Sequence, residues 1–532
     1  MNYPFAEMEQ EAARQLAEFR ARRAAGSLTV EAVSQPAQRA ASDFIAYYLA
    51  TGGYLADAVV LLCEATSLKE PSLARAGLDA LFPALIERLN DAFEPAYCDL
   101  YDRLFTQVIE FYRRLPEAAP FDAKLHRFDL KDAADLLQRK TRLREPRQAS
   151  RRELRTVKRV LLLSRVTLGA DVAITSILMA RLREVLPAAE FVLLGSAKLQ
   201  QLFGGDARVR IRQVHYERGG GVVSRLDSWR HLVAAVNEER RGLGPDEVWV
   251  IDPDSRLTQL GLLPVMEQES RYLFFESRSY RQPGVEQLGP LAEHWLNECI
   301  GVSGEAFPYL ALPQELRAWG DTVCRKLRRG GARYLVSLSF GVGGNPRKRL
   351  PDSFEEALVR HLLTEAVLIV DKGGSEEERG QINRLIEVVK AQDKVLVAVR
   401  EDNAAAVLQA EALRADLLTW DGGIGAFAAL VAGSDQYIGY DSAGQHIAAA
   451  LGVPTLTIFA TTGSPLFGQR WRPYGPGPIQ VLSFDPSRPA SATDLLNDTL
   501  PQALALHQSL RDREEIRTPD SGLRTPDSKN SA

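Results

Sequence analysis

Apolar positions in the first 136 residues recur at spacings of three and four, as in Leu100, Leu104, Val108 and Phe111, which is the stripe of a bundle helix. Helices are expected over residues 9–25, 31–51, 55–66, 71–93, 96–115 and, briefly, 130–137. The rhythm changes at Lys158, where short continuous apolar runs predict buried strands over 158–166, 190–196 and 247–252, with a helix over 171–186. A helical stretch around 285–328 follows, and the pattern then restarts. Strands are predicted over 333–340, 366–371, 395–399, 436–440 and 455–459, separated by helices over 353–364, 375–390, 425–432 and 443–451. Apolar strands alternating with helices imply parallel sheets covered on both faces. The expected fold class is therefore α/β, with two Rossmann-like domains facing across a cleft, preceded by an all-α N-terminal domain. Ligands are expected at the carboxyl ends of the strands.

The boundaries read as a helical accessory domain over 1–138, a basic linker over 139–157, a first α/β domain over 158–328, a second over 329–508 and a disordered tail over 509–532. The tail reading rests on low hydrophobicity and on Arg-Thr-Pro-Asp-Ser, which occurs at 517–521 and again at 524–528.

Charge changes this picture in one place. The net charge of −4 gives no global attraction to nucleic acid, but residues 139–159 hold ten Lys or Arg against two Glu. That run reads as a solvated linker or, alternatively, as a strip for anionic lipid headgroups or a charged acceptor, giving peripheral membrane contact. The four cysteines, Cys63, Cys98, Cys299 and Cys324, lack metal-site or disulfide spacing and read as reduced buried thiols. No apolar run reaches the roughly 18–20 residues of a membrane span, and the acidic start is not a secretory signal. A cytoplasmic protein is expected, at the inner membrane face if the strip meets lipid. Oligomeric state is not legible.

The strongest chemical feature is a strand that delivers Asp441-Ser442-Ala443-Gly444 onto the first turn of a small-residue helix. Unpaired N–H groups and the helix dipole there suit a phosphate or diphosphate, while Asp441 could hold sugar hydroxyls. A nucleotide sugar fits that pairing. Residues 341–348 form a Gly-rich loop without the Gly-Lys-Ser/Thr ending of a P-loop. Asp252-Pro253-Asp254 imitates a metal-binding Asp-x-Asp, a reading that would leave the second α/β domain and its anion-binding helix without a task.

Four segments in order carry a family resemblance. Asp441-Ser442-Ala443-Gly444-Gln445-His446-Ile447-Ala448 resembles the Asp-Thr-Gly-x-x-His-x-Ala signature of glycosyltransferase family 9, the heptosyltransferase-like enzymes. The likeness continues through Phe459-Ala460-Thr461-Thr462-Gly463-Ser464-Pro465 and Arg470-Trp471-Arg472-Pro473-Tyr474. The loop from Gly343 to Phe354, with Lys348, and the turn Thr167-Leu168-Gly169-Ala170-Asp171-Val172 are the other two segments. Together they cover roughly residues 158–485.

The resemblance implies the two-domain GT-B arrangement and inverting transfer from a nucleotide-diphosphate sugar to a glycan or glycolipid such as a lipopolysaccharide core, with no metal and no cofactor beyond the donor. It implies Asp171 as base. It places Lys348, Glu376, Asp441, Ser442, Ala443, Gly444, His446, Thr461 and Thr462 at the donor, and Asp254 and Arg256 on the acceptor side. Ala170 interrupts the family's Gly-Asp pair, Ala443 replaces its Gly, and the aromatic that members carry after the lysine is missing here. Structural readings stand beside these roles: Asp171 as a helix cap, Lys348 as a surface cation, His446 as a satisfied core residue and Glu376 as one of three Glu complementing a helix dipole. Two alternative functions remain open. One is a non-catalytic nucleotide- or sugar-binding protein with a degenerate GT-B fold and a helical partner-binding domain. The other is an epimerase or hydrolase of nucleotide sugars.

Overall fold

Parallel strands buried on both faces recur in two separate sheets. The computed structural model describes residues 5–145, 147–216, 221–343, 345–460, 464–484 and 494–517. Its contacts divide the chain into a first unit, residues 1–306 with 463–471, and a second unit, residues 307–462 with 472–532.

In the first unit the strands are β1 (Arg159–Leu163), β2 (Glu190–Gly195), β3 (Val209–Gln213), β4 (Val248–Asp252) and β5 (Tyr272–Phe274). Their order is β3-β2-β1-β4-β5, all parallel, with Leu161 opposite Val192 on one side and Val250 on the other. The order reverses at β1 and β4. Open α/β sheets bind ligands at such a switch point, beyond the carboxyl ends of the strands.

The N-terminal region is helical as expected, with long helices at Met8–Ala24, Val30–Thr51, Ala56–Thr66 and Pro95–Arg113. The expected helix over 71–93 is interrupted by a wider π-helical turn, Ala80–Ile86, which contains Pro83. Proline cannot supply the usual helical N–H, and the wider turn accommodates it. These helices do not form a separate domain. One apolar core runs from Leu62, Leu104 and Phe121 into Leu161, Leu163 and Val250 of the sheet, and Phe121 meets Trp229 edge-on at 5.1 Å.

The basic linker is a second correction. Residues up to Arg144 belong to a helix, Ala133–Arg144, and another helix spans Arg151–Thr156. Arg139 and Lys140 are buried, against Glu269 at 2.6 Å and Glu276 at 2.8 Å respectively. Arg144 reaches Asp99, Asp102 and Glu276, and Arg147 reaches Glu153. Arg139 and Lys140 are thereby withdrawn from the expected strip, while Arg142, Arg151, Arg152, Arg155 and Lys158 stay exposed. Among the described residues no helix is long and apolar enough to cross a membrane.

The second unit begins at Phe307, earlier than the expected boundary, because the helix Gln314–Arg329 joins its core through Val323, Cys324 and Leu327. Its strands are β6 (Leu335–Ser339), β7 (Val367–Asp371), β8 (Leu396–Arg400), β9 (Leu417–Asp421), β10 (Gln436–Tyr440), β11 (Thr455–Phe459) and β12 (Ile479–Ser483). The order is β12-β11-β10-β6-β7-β9-β8, and all are parallel. Alternate residues feed two cores: Leu338 and Ile438 pack with Phe354 and Ile382, while Leu335 and Ile369 pack with Val323 and Leu430. Here the switch point lies between β6 and β10. The expected tail is shorter than read, since the helix Leu500–Arg517 continues through its first residues and buries Ala503 and Leu510. Residues 518–532 lie outside the described residues.

Candidate functional site

Each switch point carries titratable side chains. In the first unit β1 ends at Leu163, and the chain turns through Ser164, Arg165 and Val166. Val166 has φ of 76°, a left-handed conformation that a β-branched residue adopts only when its surroundings enforce it. Asp171 and Ser164 hold this turn by hydrogen bonds. The Asp171 carboxylate accepts hydrogen bonds from Ser164 Oγ at 2.6 Å, the Arg165 backbone N–H at 2.7 Å and Thr175 Oγ1 at 3.0 Å, while Ser164 Oγ in turn accepts from the Val166 N–H.

The helix that follows begins with Leu168–Ala170, widens into a π-helical turn at Asp171–Thr175 and becomes regular at Ser176–Val185. A π turn holds one residue more than an α turn, so the helix is widened at the turn that carries Asp171. Asp171 is only 1% exposed, and burial pushes its carboxyl up to about 6 against the hydrogen bonds that favour the ionised form.

Asp254, expected on the acceptor side, is buried. Its side chain is sealed, accepting from Arg278 Nε at 3.1 Å and Ser277 Oγ at 2.8 Å, because the residue adopts φ of 67° after β4 and turns inward. The Asp254–Arg278 pair belongs to a buried ionic network. Glu276 meets Lys140 and Arg144, Asp102 meets Arg144, and Arg278 donates to Asn90 Oδ1 at 3.1 Å and lies over the Tyr101 ring. The N-terminal helices are thus ion-paired to the carboxyl edge of the first sheet.

Arg256 is half-buried and has a neighbour that sequence reasoning missed. Arg165 donates to the Pro253 carbonyl and to Ser277 Oγ, lies at the Trp471 ring face at 5.9 Å, and feels repulsion from Arg256 and attraction from Asp254 and Asp171. Among the described residues neither Arg165 nor Arg256 has a carboxylate within 4.0 Å. Two neighbouring guanidiniums with no carboxylate that close among the described residues could together hold an anion.

In the second unit Lys348 follows β6 and Asp441 follows β10, and the switch point brings them together. Lys348 Nζ lies 2.5 Å from Asp441 Oδ2. Gln445 Nε2 donates to Asp441 Oδ1 at 2.8 Å and lies 3.3 Å from His446 Nε2, while Thr457 Oγ1 donates to Gln445 Oε1 at 2.5 Å. His446 is buried, and desolvation holds its imidazole down to about 4, so the ring is neutral at physiological pH.

Ser442 is extended and precedes the helix Ala443–Ala450, but its side chain accepts no bond from the first turn. Ala443 is the first helical residue, a conformation open to any L-residue, so its methyl brings no backbone strain. Gly444 is different: a Cβ there would stand 2.1 Å from the buried Tyr437 hydroxyl, so only glycine fits over that ring. Lys348, Asp441, Ser442, Ala443, Gly444 and His446 therefore occupy one neighbourhood.

Glu376 does not join them. It is exposed in the first turn of the helix Glu376–Lys390. Glu378 is the carboxylate that turns toward the loop after β6, accepting from the Val342 N–H at 3.1 Å and the Gly374 N–H at 3.0 Å and closing a capping box with Ser375. The Ser-x-x-Glu spacing would have singled it out. Thr461 and Thr462 lie outside the described residues. Among those described, no group of three or more His, Cys, Asp or Glu is placed to hold a metal ion.

Residues 395–495 match the family profile described as glycosyltransferase family 9 (heptosyltransferase). A comparison with curated proteins finds no match. Among solved structures, a glycosyl transferase family 9 protein from Veillonella parvula DSM 2008 is 14% identical with a TM-score of 0.47, covering 67% of this chain and 98% of that one. The ADP-heptose lps heptosyltransferase II of E. coli is 16% identical with a TM-score of 0.44, covering 67% and 99%. The E. coli heptosyltransferase WaaC, solved with ADP-2-deoxy-2-fluoro heptose, is 15% identical with a TM-score of 0.42, covering 67% and 99%.

Proposed function

From the match of residues 395–495 to glycosyltransferase family 9 (heptosyltransferase), we propose that the protein is a glycosyltransferase moving a sugar from a nucleotide-diphosphate donor to a glycan or glycolipid acceptor, with inversion and without a metal. One observation carries this reading. The family-matched segment contains Asp441 to His446, and Lys348, which lies outside it, is bonded to Asp441 in the folded chain.

The donor half of the chemistry follows from charge. A departing nucleoside diphosphate gains negative charge, and Lys348 with the amides opening the helix Ala443–Ala450 can stabilise it. Asp441, already oriented by Gln445, would hold sugar hydroxyls. His446, being neutral, would serve as a hydrogen-bonding group rather than a counter-charge. On the acceptor half, an alcohol needs a base as it attacks, and Asp171 with its raised carboxyl suits that task. Arg165 and Arg256 would hold a carboxylate or phosphate of the acceptor. A lipopolysaccharide core is an acceptor of this kind.

Two expected results test the reading. Purified protein should release nucleoside diphosphate from one of a panel of nucleotide sugars when a glycan acceptor is present, with turnover unchanged by a chelator and inverted anomeric configuration by NMR. Lys348→Ala should lower that turnover by about 10²–10³-fold with an unchanged melting temperature. Donor binding without turnover on any acceptor would instead support the non-catalytic reading. For the acceptor half, Arg165→Gln should raise KM for a charged acceptor by about tenfold and leave nucleoside diphosphate affinity alone. An equal effect on a neutral acceptor would remove the anion assignment.

A further inference from the structure

We propose that Glu355 is a positioning residue for the donor diphosphate, holding the loop that carries Lys348 against the strand end that carries Asp441. The inference rests on the donor reading above and concerns a residue that reading does not use. Glu355 lies on the helix Asp352–Leu362 and is 0% exposed. It takes both arms of Arg349, Nε at 2.5 Å and Nη2 closer still, and accepts from the Tyr440 hydroxyl at 2.8 Å. The same hydroxyl accepts the Leu350 backbone N–H at 3.2 Å.

Arg349 is the residue after Lys348, and Tyr440 is the residue before Asp441. One buried carboxylate therefore ties together the immediate neighbours of both members of the Lys348–Asp441 pair. A loop residue free to sample its conformations loses entropy when a ligand orders it. The Arg349–Glu355–Tyr440 brace fixes the backbone beside Lys348 in the folded protein, so phosphate binding does not have to. A guanidinium held at two points also sets direction, which a single hydrogen bond would not.

The test is a double-mutant cycle on the full chain, read as the affinity for ADP, GDP or UDP, whichever the wild type binds, by calorimetry. Glu355→Gln is expected to weaken binding about tenfold. Lys348→Met is expected to weaken it more, and the double variant should be no weaker than Lys348→Met alone, because Glu355 acts through that lysine. Tyr440→Phe deletes one hydroxyl and should weaken binding by several-fold with an unchanged melting temperature; it answers the question if Glu355→Gln does not fold.

Losses that add in the double variant overturn the inference. So does a Lys348→Met effect unaccompanied by any effect of Glu355→Gln or Tyr440→Phe, which leaves the donor site standing. Failure of the wild type to bind any of the three nucleotides removes the donor reading and this inference together.

Discussion

Asp171→Asn is expected to lower kcat by about 10³-fold, within the range that general-base catalysis contributes, and to leave a folded protein. The side chains are nearly isosteric. An amide oxygen can still accept the Arg165 N–H that holds the strained turn at Val166. What the proposed role loses is the ability to take a proton from an attacking alcohol. The wild-type rate should fall tenfold per pH unit below about 6, where Asp171 protonates, and that acid limb should be missing from the variant.

Stability should move the other way. The carboxyl is raised in the folded state above its value of about 3.9 in an unfolded chain, so the native protein binds the proton more tightly. The contribution of this group to stability is complete below about pH 4 and is lost as pH rises through 6. At neutral pH ionised Asp171 is therefore a cost, and Asn should hold or raise the melting temperature. A lower melting temperature with an unaltered rate would make Asp171 a brace for its turn and nothing more.

Arg278→Met should cost about 3–5 kcal/mol, the largest stability loss expected from a single substitution here. Its side chain is 4% exposed and that of Asp254 is 0% exposed, so removing the cation leaves a buried carboxylate without its ion-pair partner, with Arg165 and Lys140 as its remaining counter-charges. The substitution also detaches Asn90 on the N-terminal helices and uncovers one face of Tyr101. The double variant Arg278→Met/Asp254→Asn should recover part of the loss, because the stranded charge goes with the cation. Denaturant unfolding of the full chain measures both. A loss under about 1 kcal/mol for Arg278→Met would mean that water reaches Asp254 and that the network adds little.

Most central strands were legible because burial on both faces makes them continuously apolar, although central β9 (Leu417–Asp421) was missed and the edge strand β8 was found. β1, β2, β4, β6, β7, β8, β10 and β11 all fall within or close to their expected runs. β3 was missed: Val-Arg-Ile-Arg-Gln lies at a sheet edge, where alternate positions point to arginine partners such as Glu239 and Glu238. β12 occupies the opposite kind of edge in the second sheet, and β5 has three residues, too few for any period to register.

The charge run at 139–159 shows what composition cannot reveal. Its cations count as a solvated strip only until their partners are known, and Glu269 and Glu276 lie more than a hundred residues away in the sequence. At the proposed donor site the motif pointed to Lys348, Asp441 and His446, which the fold brings together. It could not identify Arg165 or Glu355, since an arginine with no carboxylate within 4.0 Å among the described residues and a carboxylate bridging two neighbours are properties of folded geometry, with no spacing of their own. Asp254 was misjudged for the same reason, its inward turn depending on a backbone angle.

The excursion of residues 463–471 into the first unit has a consequence for how the chain is made. Ser464 Oγ reaches the Asp91 carbonyl at 3.3 Å, Phe467 meets Phe93, and Arg470 donates to the Glu286 carbonyl at 3.2 Å. A ribosome finishes the rest of that unit at residue 306 and reaches residue 463 only after 157 more additions (463 − 306), roughly 8–30 s at about 5–20 residues per second. Through that interval the nascent protein lacks the segment that covers Phe93, and the second unit must be threaded from a chain whose first half is still waiting to be sealed.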